Sequence, residues 1–411
     1  ATAFGNGYLN MGNVAGATLD ANGFNPSFTW LQGGGTTGGN INLGGQTLTI
    51  SSGNNTAGVA YAGNINGTGN LVKNGVQVQR MSGCNNSYTG TTTINGGTLA
   101  VDCMADGGSN SGTGASNAAA SNLVVNGGAT LSYVGTGQSS DRLFTLGAGG
   151  GSLDSSGTGA LNLTNVGAIA LTGTGVARTL TLNGTNTGNN TLSAQLDNNG
   201  AGVSSLTKTG AGTWILTNNT SNYTGVTTIN GGVLGVSKLS NGGTASGIGA
   251  ASSAASNLVI GNGSTLRYTG AGDSSNRLFT LAGGVSFIES SGTGAINLTN
   301  TGTIGLSNPN VARTVALGGT NTGNNTVAGV IGNSGTGITT LAKNGSGTWV
   351  LTGNNTYTGN TVINDGNLTI GDGNTSGNLG TGNVIVDATT STLSMNRSDT
   401  VIFNATMSGP G

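Results

Sequence analysis

Few residues of this chain could act as bases, nucleophiles or metal ligands. Its 411 residues contain no histidine, twelve carboxylates and eleven Lys and Arg together. Without histidine, the chain lacks the commonest general base and both the Ser–His–Asp and Cys–His arrangements. The chemistry left open is polysaccharide cleavage, either by two carboxylates or by a lyase that uses Lys or Arg as its base.

The carboxylates do not form a clear catalytic pair. Asp20, Asp154 and Glu289 are the best-matched acidic positions, but they lie about 135 residues apart. If four coils of a stacked repeat separate them, the distance is about 19 Å, whereas a glycosidase needs about 5–10 Å. Two closer pairs are typical of turns: Asp102 with Asp106, and Asp365 with Asp372. We therefore predict no active site, no metal site and no cofactor.

Cations and aromatic residues recur at a fixed interval of 134–135 residues. A stacked repeat places the same side chain on the same face, so we predict structural roles for them. The lysines would cover an edge or a carbonyl corner, and the tryptophans would be buried; a sugar-stacking platform is the alternative for the tryptophans. The recurring sets are Lys73, Lys208 and Lys343; Tyr88, Tyr223 and Tyr357; Trp214 and Trp349; Arg142 and Arg277; and Arg178 and Arg313.

The interval reflects duplication of one long unit. Gly210-Ala-Gly-Thr-Trp-Ile-Leu-Thr217 returns as Gly345-Ser-Gly-Thr-Trp-Val-Leu-Thr352. Leu71, Leu206 and Leu341 each open a stretch that reads L-x-K-x-G. Duplicated units usually stack, because each copy buries its apolar face on the next. We predict one continuous body made of a partial copy 1–70, full copies 71–205 and 206–340, and a partial copy 341–411.

Composition and patterning predict an all-β fold. The chain is 34% hydrophobic with a formal net charge of −1, whereas disorder normally combines low hydrophobicity with high net charge. Apolar and polar residues alternate, as in Thr179-Leu-Thr-Leu182, and this is typical of half-buried strands. Turn signals rich in Gly and Asn separate these runs. About a dozen short strands are predicted between residues 206 and 340, from Thr213–Leu216 to Thr339–Leu341.

A sandwich, a propeller and a β-helix all accommodate short strands with frequent turns. The repeat begins and ends part-way through a copy, which an open solenoid tolerates and a closed ring does not. We therefore favour a single-stranded parallel β-helix (solenoid) with about three strands per coil and roughly four coils per repeat.

One motif also resembles a known family. Lys208-Thr-Gly-Ala-Gly-Thr-Trp-Ile-Leu-Thr-Asn-Asn219, followed by Tyr223-Thr-Gly-Val-Thr-Thr-Ile-Asn-Gly-Gly-Val-Leu234, is similar to the autotransporter-associated β-strand repeat of bacterial passenger domains. The motif covers 71–101, 206–236 and 341–370, and its first copy has Gln79 at the tryptophan position. The resemblance implies a right-handed parallel β-helix displayed outside the cell, either extracellular or on the bacterial surface.

The two cysteines, Cys84 and Cys103, both lie in the first full copy. Asn219 and Lys238 occupy the matching positions of the second copy. A disulfide would suit an oxidising compartment, and two free buried thiols are the alternative.

These observations predict a non-enzymatic protein that forms a rigid extracellular or cell-surface stalk or fibre. It would continue in a longer chain or associate end to end as a filament subunit. The alternative is an adhesin whose polar face of Asn, Thr and Tyr binds surface glycans; a polysaccharide lyase is the weaker third choice. The near-neutral charge predicts no nucleic-acid partner. The sequence has no run of eighteen apolar residues, so we predict no membrane span.

Overall fold

The computed structural model describes residues 2–3, 7–56, 58–402 and 405–411, so Ala1 of the predicted copy 1–70 lies outside the described residues. The chain divides into two compact units, residues 1–205 with 210–214, and residues 206–209 with 215–411. Each unit is a parallel β-helix, and the two together contain about 17 turns. The predicted all-β parallel β-helix is therefore confirmed. Continuity of one helix from residue 1 to 411 stays a prediction.

Almost all regular structure consists of short strands. In the first unit these are β1 Thr2–Ala3, β2 Leu9–Met11, β3 Thr18–Asp20, β4 Asn25–Phe28, β5 Leu31–Gly33, β6 Asn40–Asn42, β7 Thr47–Ile50, β8 Ile65–Asn66, β9 Asn70–Lys73, β10 Val78–Met81, β11 Thr92–Ile94, β12 Thr98–Val101, β13 Leu123–Val125, β14 Thr130–Tyr133, β15 Thr136–Ser140, β16 Thr145–Leu146, β17 Gly151–Ser155, β18 Gly159–Leu163, β19 Ala170–Leu171, β20 Arg178–Asn183 and β21 Asn189–Leu192. Two strands include residues of both units: β22 Ser204–Lys208 and β23 Thr213–Leu216.

The second unit continues the same pattern. Its strands are β24 Thr227–Ile229, β25 Gly232–Val236, β26 Leu258–Ile260, β27 Ser264–Tyr268, β28 Ala271–Ser275, β29 Thr280–Leu281, β30 Gly284–Ser290, β31 Gly294–Leu298, β32 Gly305–Leu306, β33 Arg313–Gly318, β34 Asn325–Val327, β35 Thr339–Lys343, β36 Thr348–Leu351, β37 Thr361–Ile363, β38 Asn367–Ile370, β39 Val384–Val386, β40 Thr392–Met395 and β41 Met407–Ser408. One short 3₁₀ turn precedes β13 and another precedes β26, at Ala120–Asn122 and Ala255–Asn257.

Parallel ladders form the faces of each unit, and each strand pairs with one from the next turn. In the first unit one ladder runs β1-β4-β7-β9-β11-β13-β16-β19, and others contain β10-β12-β14-β17-β20 and β15-β18-β21. In the second unit the ladders contain β24-β26-β29-β32, β25-β27-β30-β33-β35-β37-β39-β41 and β28-β31-β34-β36-β38-β40. Three faces per turn agree with the predicted three strands per coil.

The predicted count of four coils per repeat is wrong. Four successive ladder pairings and one isolated bridge of the first unit lead from residue 71 to residue 195, so five turns fit where about four were expected. Most of these turns need only 21 to 27 residues, because their corners are short; the turn from Thr92 to Leu123 is longer and contains a loop. The pairings join Leu71 to Thr92, Thr92 to Leu123, Val124 to Thr145, Thr145 to Ala170, and Ala168 to Gln195.

The core lies along the inside of each coil. Alternate residues of a strand face inward, so in β7 Leu48 and Ile50 are fully buried while the two threonines are partly exposed. The parallel register stacks these side chains in columns, with Leu48 beside Leu71 and Ile50 beside Lys73. The alternating pattern in the sequence therefore corresponds to one side of each sheet that is buried in the core and one side that is exposed to solvent.

Candidate functional site

The three repeated lysines lie in the interior at a corner of the coil. Lys73, Lys208 and Lys343 are the last residues of β9, β22 and β35, and all three are fully buried. Lys73 occupies a column of aliphatic side chains, between Ile50 and Ile94 of the neighbouring turns. Its methylene stem packs in that column while the ammonium group reaches the corner. Burial lowers the pKa of each lysine to about 8.

Main-chain carbonyl oxygens accept hydrogen bonds from these ammonium groups. Lys73 Nζ donates to the carbonyl oxygens of Asn74, Gly75 and Gly96 at 2.5, 3.2 and 3.1 Å. Lys343 repeats the pattern, with acceptors in the two residues that follow it and in the next turn. The cation thus satisfies carbonyl groups that a sharp corner leaves without ladder partners.

Steric constraints explain the glycine of the L-x-K-x-G motif. Gly75, Gly210 and Gly345 have φ angles of 67°, 67° and 68°, a region that L-residues with side chains rarely adopt. A Cβ on Gly75 would also lie 2.6 Å from the carbonyl oxygen of Ser51 in the preceding turn. The motif therefore describes a corner, with a lysine that bonds its carbonyls and a glycine that allows it to bend.

The repeated arginines anchor loops in the same way. Arg142 is 3% exposed and Arg277 is 4% exposed, and desolvation lowers the pKa of both guanidinium groups. Each guanidinium lies under a loop that leaves the coil after β12 or β25. The carbonyl acceptors of Arg142 belong to Ala105, Asp106, Ser109, Gly114 and Ser116, and those of Arg277 to Leu239, Ser240, Asn241, Thr244, Gly249 and Ala251. Repetition predicted a structural role, but the loops themselves were missed.

The aromatic motif residues are also interior. Trp214 and Trp349 are fully buried, and each indole N–H donates to a main-chain carbonyl oxygen, at 2.8 Å from Asn183 and 2.8 Å from Gly318. Their ring faces are therefore not accessible to a sugar. The tyrosines are buried too, and burial raises the pKa of all three. Their hydroxyl groups bond the threonine four residues later, in the pairs Tyr88–Thr92, Tyr223–Thr227 and Tyr357–Thr361 at 2.7, 2.7 and 2.6 Å.

The two cysteines are joined as a disulfide in the structure. Cys84 and Cys103 follow β10 and β12, which are adjacent parallel strands, and their Cα atoms are 5.4 Å apart. The bond links consecutive turns across a loop of 19 residues in sequence. That Cys84 and Cys103 are joined in the purified protein stays a prediction.

The carboxylates considered for catalysis are engaged locally. Asp154 accepts a hydrogen bond from the Ser132 hydroxyl at 2.7 Å, and Glu289 forms an ion pair with Arg267 at 2.7 Å. Asp20 accepts from the backbone N–H of Asn22 at 2.9 Å. These contacts are ordinary turn and cross-strand interactions.

The loop that covers Arg142 shows that carboxylate positions in a turn need no charge. Gly107 N–H donates to the Asp141 carboxylate, and Asp141 N–H donates to the Asp106 carboxylate. In the second copy Asn241 and Asn276 make the same two bonds with amide oxygens. An amide that replaces a carboxylate without loss of geometry identifies a turn role.

One surface feature was missed by the sequence reasoning. Tyr8 and Trp30 stack on the outer side of β2 and β5, followed two residues later by Asn10 and Gln32; we call these four residues the aromatic strip. The signal was present as two aromatic–Leu–amide triplets, Tyr8-Leu-Asn10 and Trp30-Leu-Gln32, whose leucines pair in register. It was overlooked because these triplets lie outside the repeated motif.

The buried cations, the buried aromatic residues and the parallel ladders together define a β-helical repeat protein. Residues 71–101, 206–236 and 341–370 match the passenger-associated-transport-repeat. Three segments of the chain thus match this repeat, and the predicted recognition and the predicted location, the bacterial cell surface or exterior, are confirmed.

The chain is also similar to a curated protein, the adhesin BmaC autotransporter of Brucella suis biovar 1 (strain 1330). The two are 60% identical over 410 residues, which cover 100% of this chain. The chain spans only 12% of the length of that relative. No solved structure shows a significant match. Among the described residues, no helix is long and apolar enough to cross a membrane.

Proposed function

We propose that the chain is a non-enzymatic, rigid stalk section of a surface adhesin. The supporting observation is that the repeated polar residues face inward and bond the main chain. Lys343 closes a corner through carbonyl contacts, and Trp349 donates an N–H to a preceding turn. Residues duplicated for a binding or catalytic task would be expected on the outside.

Stiffness follows from the way each turn is held. Every strand interior to a ladder bonds two neighbours, so bending the helix requires main-chain hydrogen bonds on one face to lengthen. Columns such as Val384 beside Thr361, and Thr361 beside Leu341, keep side chains in register from turn to turn. In this proposal the two units continue as one helix that holds other parts of the parent protein away from the cell.

Electron microscopy of the purified chain tests this function. About 17 turns spaced at roughly 4.8 Å give a rod about 80 Å long. Rods of that length support the stalk, and two globular bodies joined flexibly would overturn it. End-to-end association is the finer form of the proposal. Images across a concentration series distinguish it, because rods in multiples of one length support it and single rods at every concentration contradict it.

Absence of enzymatic activity is part of the proposal. The lysines and arginines that a lyase would use, such as Lys208 and Arg277, donate to main-chain carbonyl oxygens in the interior. We expect no unsaturated sugars when the chain is incubated with polyuronates and Ca²⁺. Release of such products, abolished by a single surface substitution, would overturn the non-enzymatic function.

Adhesion to surface glycans is the second candidate function. The relative carries the name adhesin, and the aromatic strip supplies exposed rings beside amide side chains. A printed glycan array probed with the chain tests this function. Binding to defined glycans supports it, and an array without signal, for a chain that still adheres to cells, contradicts it.

A further inference from the structure

Two aromatic rings lie parallel on the outer side of the first unit. The ring centroids of Tyr8 and Trp30 are 4.7 Å apart, and their planes differ by 2°. Tyr8 is 54% exposed and Trp30 is half-buried, whereas Leu31 next to it is fully buried. Strand alternation therefore turns Trp30 outward. The core does not need these rings, since the interior column is filled by the leucine.

An open depression adjoins the amides of the strip. Its lining includes Asn10, Gln32, Gly58, Ala60 and Ser82, so two amides and several small side chains surround it.

The wall of the depression requires a glycine. Gly33 follows Gln32 and has a φ of 78°, and a Cβ there would collide with the carbonyl oxygen of Met11. No side chain can therefore project from position 33 into the depression.

The amide groups of the strip have hydrogen-bonding capacity left. The indole N–H of Trp30 donates to Gln32 Oε1 at 3.3 Å, which leaves the Gln32 amide N–H groups pointing away from that bond. Within the part of the chain that the structure describes, the side chain of Asn10 has no hydrogen-bond partner. Each amide offers both donors and an acceptor, the combination that a sugar hydroxyl can use.

The strip and its depression carry no net charge. Arg80 precedes Met81, which pairs with Tyr61 beside Gly33, and its guanidinium donates two hydrogen bonds to the Asp102 carboxylate, at 2.9 and 2.8 Å. The carboxylate compensates the arginine, so an anionic ligand would meet no unpaired positive charge among the residues that line the depression. These groups match a neutral ligand with an apolar face and several hydroxyls.

We propose that the aromatic strip binds neutral pyranose sugars of a surface glycan. Because each ring of the Tyr8–Trp30 pair covers one face of the other, the C–H face of a pyranose packs on an outer, electron-rich face of the pair. The amides of Asn10 and Gln32 bond its hydroxyls. This inference rests on the adhesive function proposed above, and adds the site and the chemical class of the ligand. It does not depend on the stalk.

The first experiment is a glycan array probed with the complete 411-residue chain. The printed probes are neutral oligosaccharides ending in galactose, glucose or N-acetylglucosamine, together with sialylated derivatives of the same chains. We expect binding to a neutral subset, and a loss of roughly tenfold or more in affinity for Trp30→Ala and for Tyr8→Ala, because each removes a stacking surface. Trp30→Tyr keeps an aromatic ring and should retain most binding.

Fluorescence provides a second readout that folding defects do not imitate. Trp214 and Trp349 are fully buried, so acrylamide quenching reports mainly on Trp30. Lactose, cellobiose and chitobiose are titrated one at a time, and the sugar class bound on the array should protect Trp30 from quenching. Val76→Ala is the matched surface control, because Val76 is 89% exposed and lies outside the strip.

The outcomes separate the site from the function. If folded Trp30→Ala and Tyr8→Ala bind the array as the native chain does, the aromatic strip is not the binding site, while the adhesive function stands. Binding to sialylated probes alone overturns the neutral ligand class. An array without signal, from a chain that still adheres to cells, overturns both the glycan-binding function and this site.

Discussion

The first copy of the repeat and the later copies fill the same interior position with different side chains. Trp214 and Trp349 fill the interior with an indole whose N–H reaches a carbonyl of a preceding turn. In the first copy Gln79 stands at this position and is 2% exposed. Its amide accepts from the N–H of Leu31 at 2.9 Å and donates to the carbonyl oxygen of the same residue at 3.0 Å.

The difference shows what this position requires. Both side chains donate an N–H to a main-chain carbonyl of an earlier turn, but only the glutamine also accepts from a main-chain N–H. Gln79 therefore acts as a substitute peptide group on the side of Leu31 that faces away from its strand partner β2. In the later copies this position requires a large side chain to fill the core, and in the first copy it requires a side chain that forms hydrogen bonds with the main chain. The disulfide also lies in the first copy, while in the second Asn219 accepts a hydrogen bond from Ser237 at 2.9 Å.

The largest expected effect comes from removing the volume. Trp349→Ala should lower the free energy of unfolding by about 3–5 kcal/mol, because it opens a cavity in a fully buried core and leaves the Gly318 carbonyl without its donor. Urea unfolding followed by circular dichroism measures the change. Trp30→Ala is the control, since Trp30 is half-buried and should cost far less. Equal midpoints for Trp349→Ala and the unmodified chain would contradict the packing role.

The second effect concerns the covalent link of the first copy. Replacing Cys84 and Cys103 by serine should lower the stability by about 3 kcal/mol, since the bond closes a loop of 19 residues. Intact mass before and after alkylation, without reduction, shows whether the thiols are joined. Asn219→Ala is the comparison in the second copy and should cost about 1 kcal/mol. Rapid alkylation of both native cysteines would show that the bond is absent.

The third effect tests whether hydrogen bonds rather than volume matter at position 79. Gln79→Ala should cost about 1–3 kcal/mol, because it leaves the buried N–H and carbonyl of Leu31 without partners. Gln79→Glu is the sharper variant, since it keeps the volume but loses the donor. If Gln79→Glu is as stable as the native chain at neutral pH, the peptide-like role of this amide is wrong.

Much of the fold was predictable, because in a stacked repeat the residues that pack in the core recur at regular intervals in the sequence. The strands predicted at Thr213–Leu216 and Thr227–Ile229 have those bounds in the structure. The strand Ala271–Ser275 was missed, since its residues are polar or small and only Ser275 is buried. Its pairing with β31 comes from the main chain alone, and a search for alternating apolar residues cannot detect it.

The interior of the repeat was only partly predictable. Repetition indicated that Lys73 and Arg142 are structural, but not that both are buried against carbonyl oxygens. Sequence-based reasoning expects a buried cation to have a carboxylate partner. Here the acceptors are main-chain groups at corners and loops, which have no signature in side-chain identity. The aromatic strip was missed for the opposite reason, because it does not recur.

A further expected effect is a pH dependence of stability that the buried lysines share across the copies. Burial lowers the pKa of Lys73, Lys208 and Lys343 to about 8 in the folded chain, below the ordinary value of 10.5. Between these two pH values the unfolded chain binds more protons than the folded chain, so the free energy of unfolding rises with pH. Below pH 8 both states are protonated, and the contribution is constant.

The buried tyrosines set the upper limit of this rise. Burial raises the pKa of Tyr88 and Tyr223 above the ordinary value of 10.0, so above that pH the unfolded chain loses protons first and stability falls. We therefore expect the urea midpoint to increase from pH 8 to a maximum near pH 10. In a chain with all three lysines changed to methionine the increase should disappear, although its midpoint is lower throughout. A midpoint that falls steadily from pH 8 would mean that the carbonyl contacts outweigh burial and keep the lysines charged.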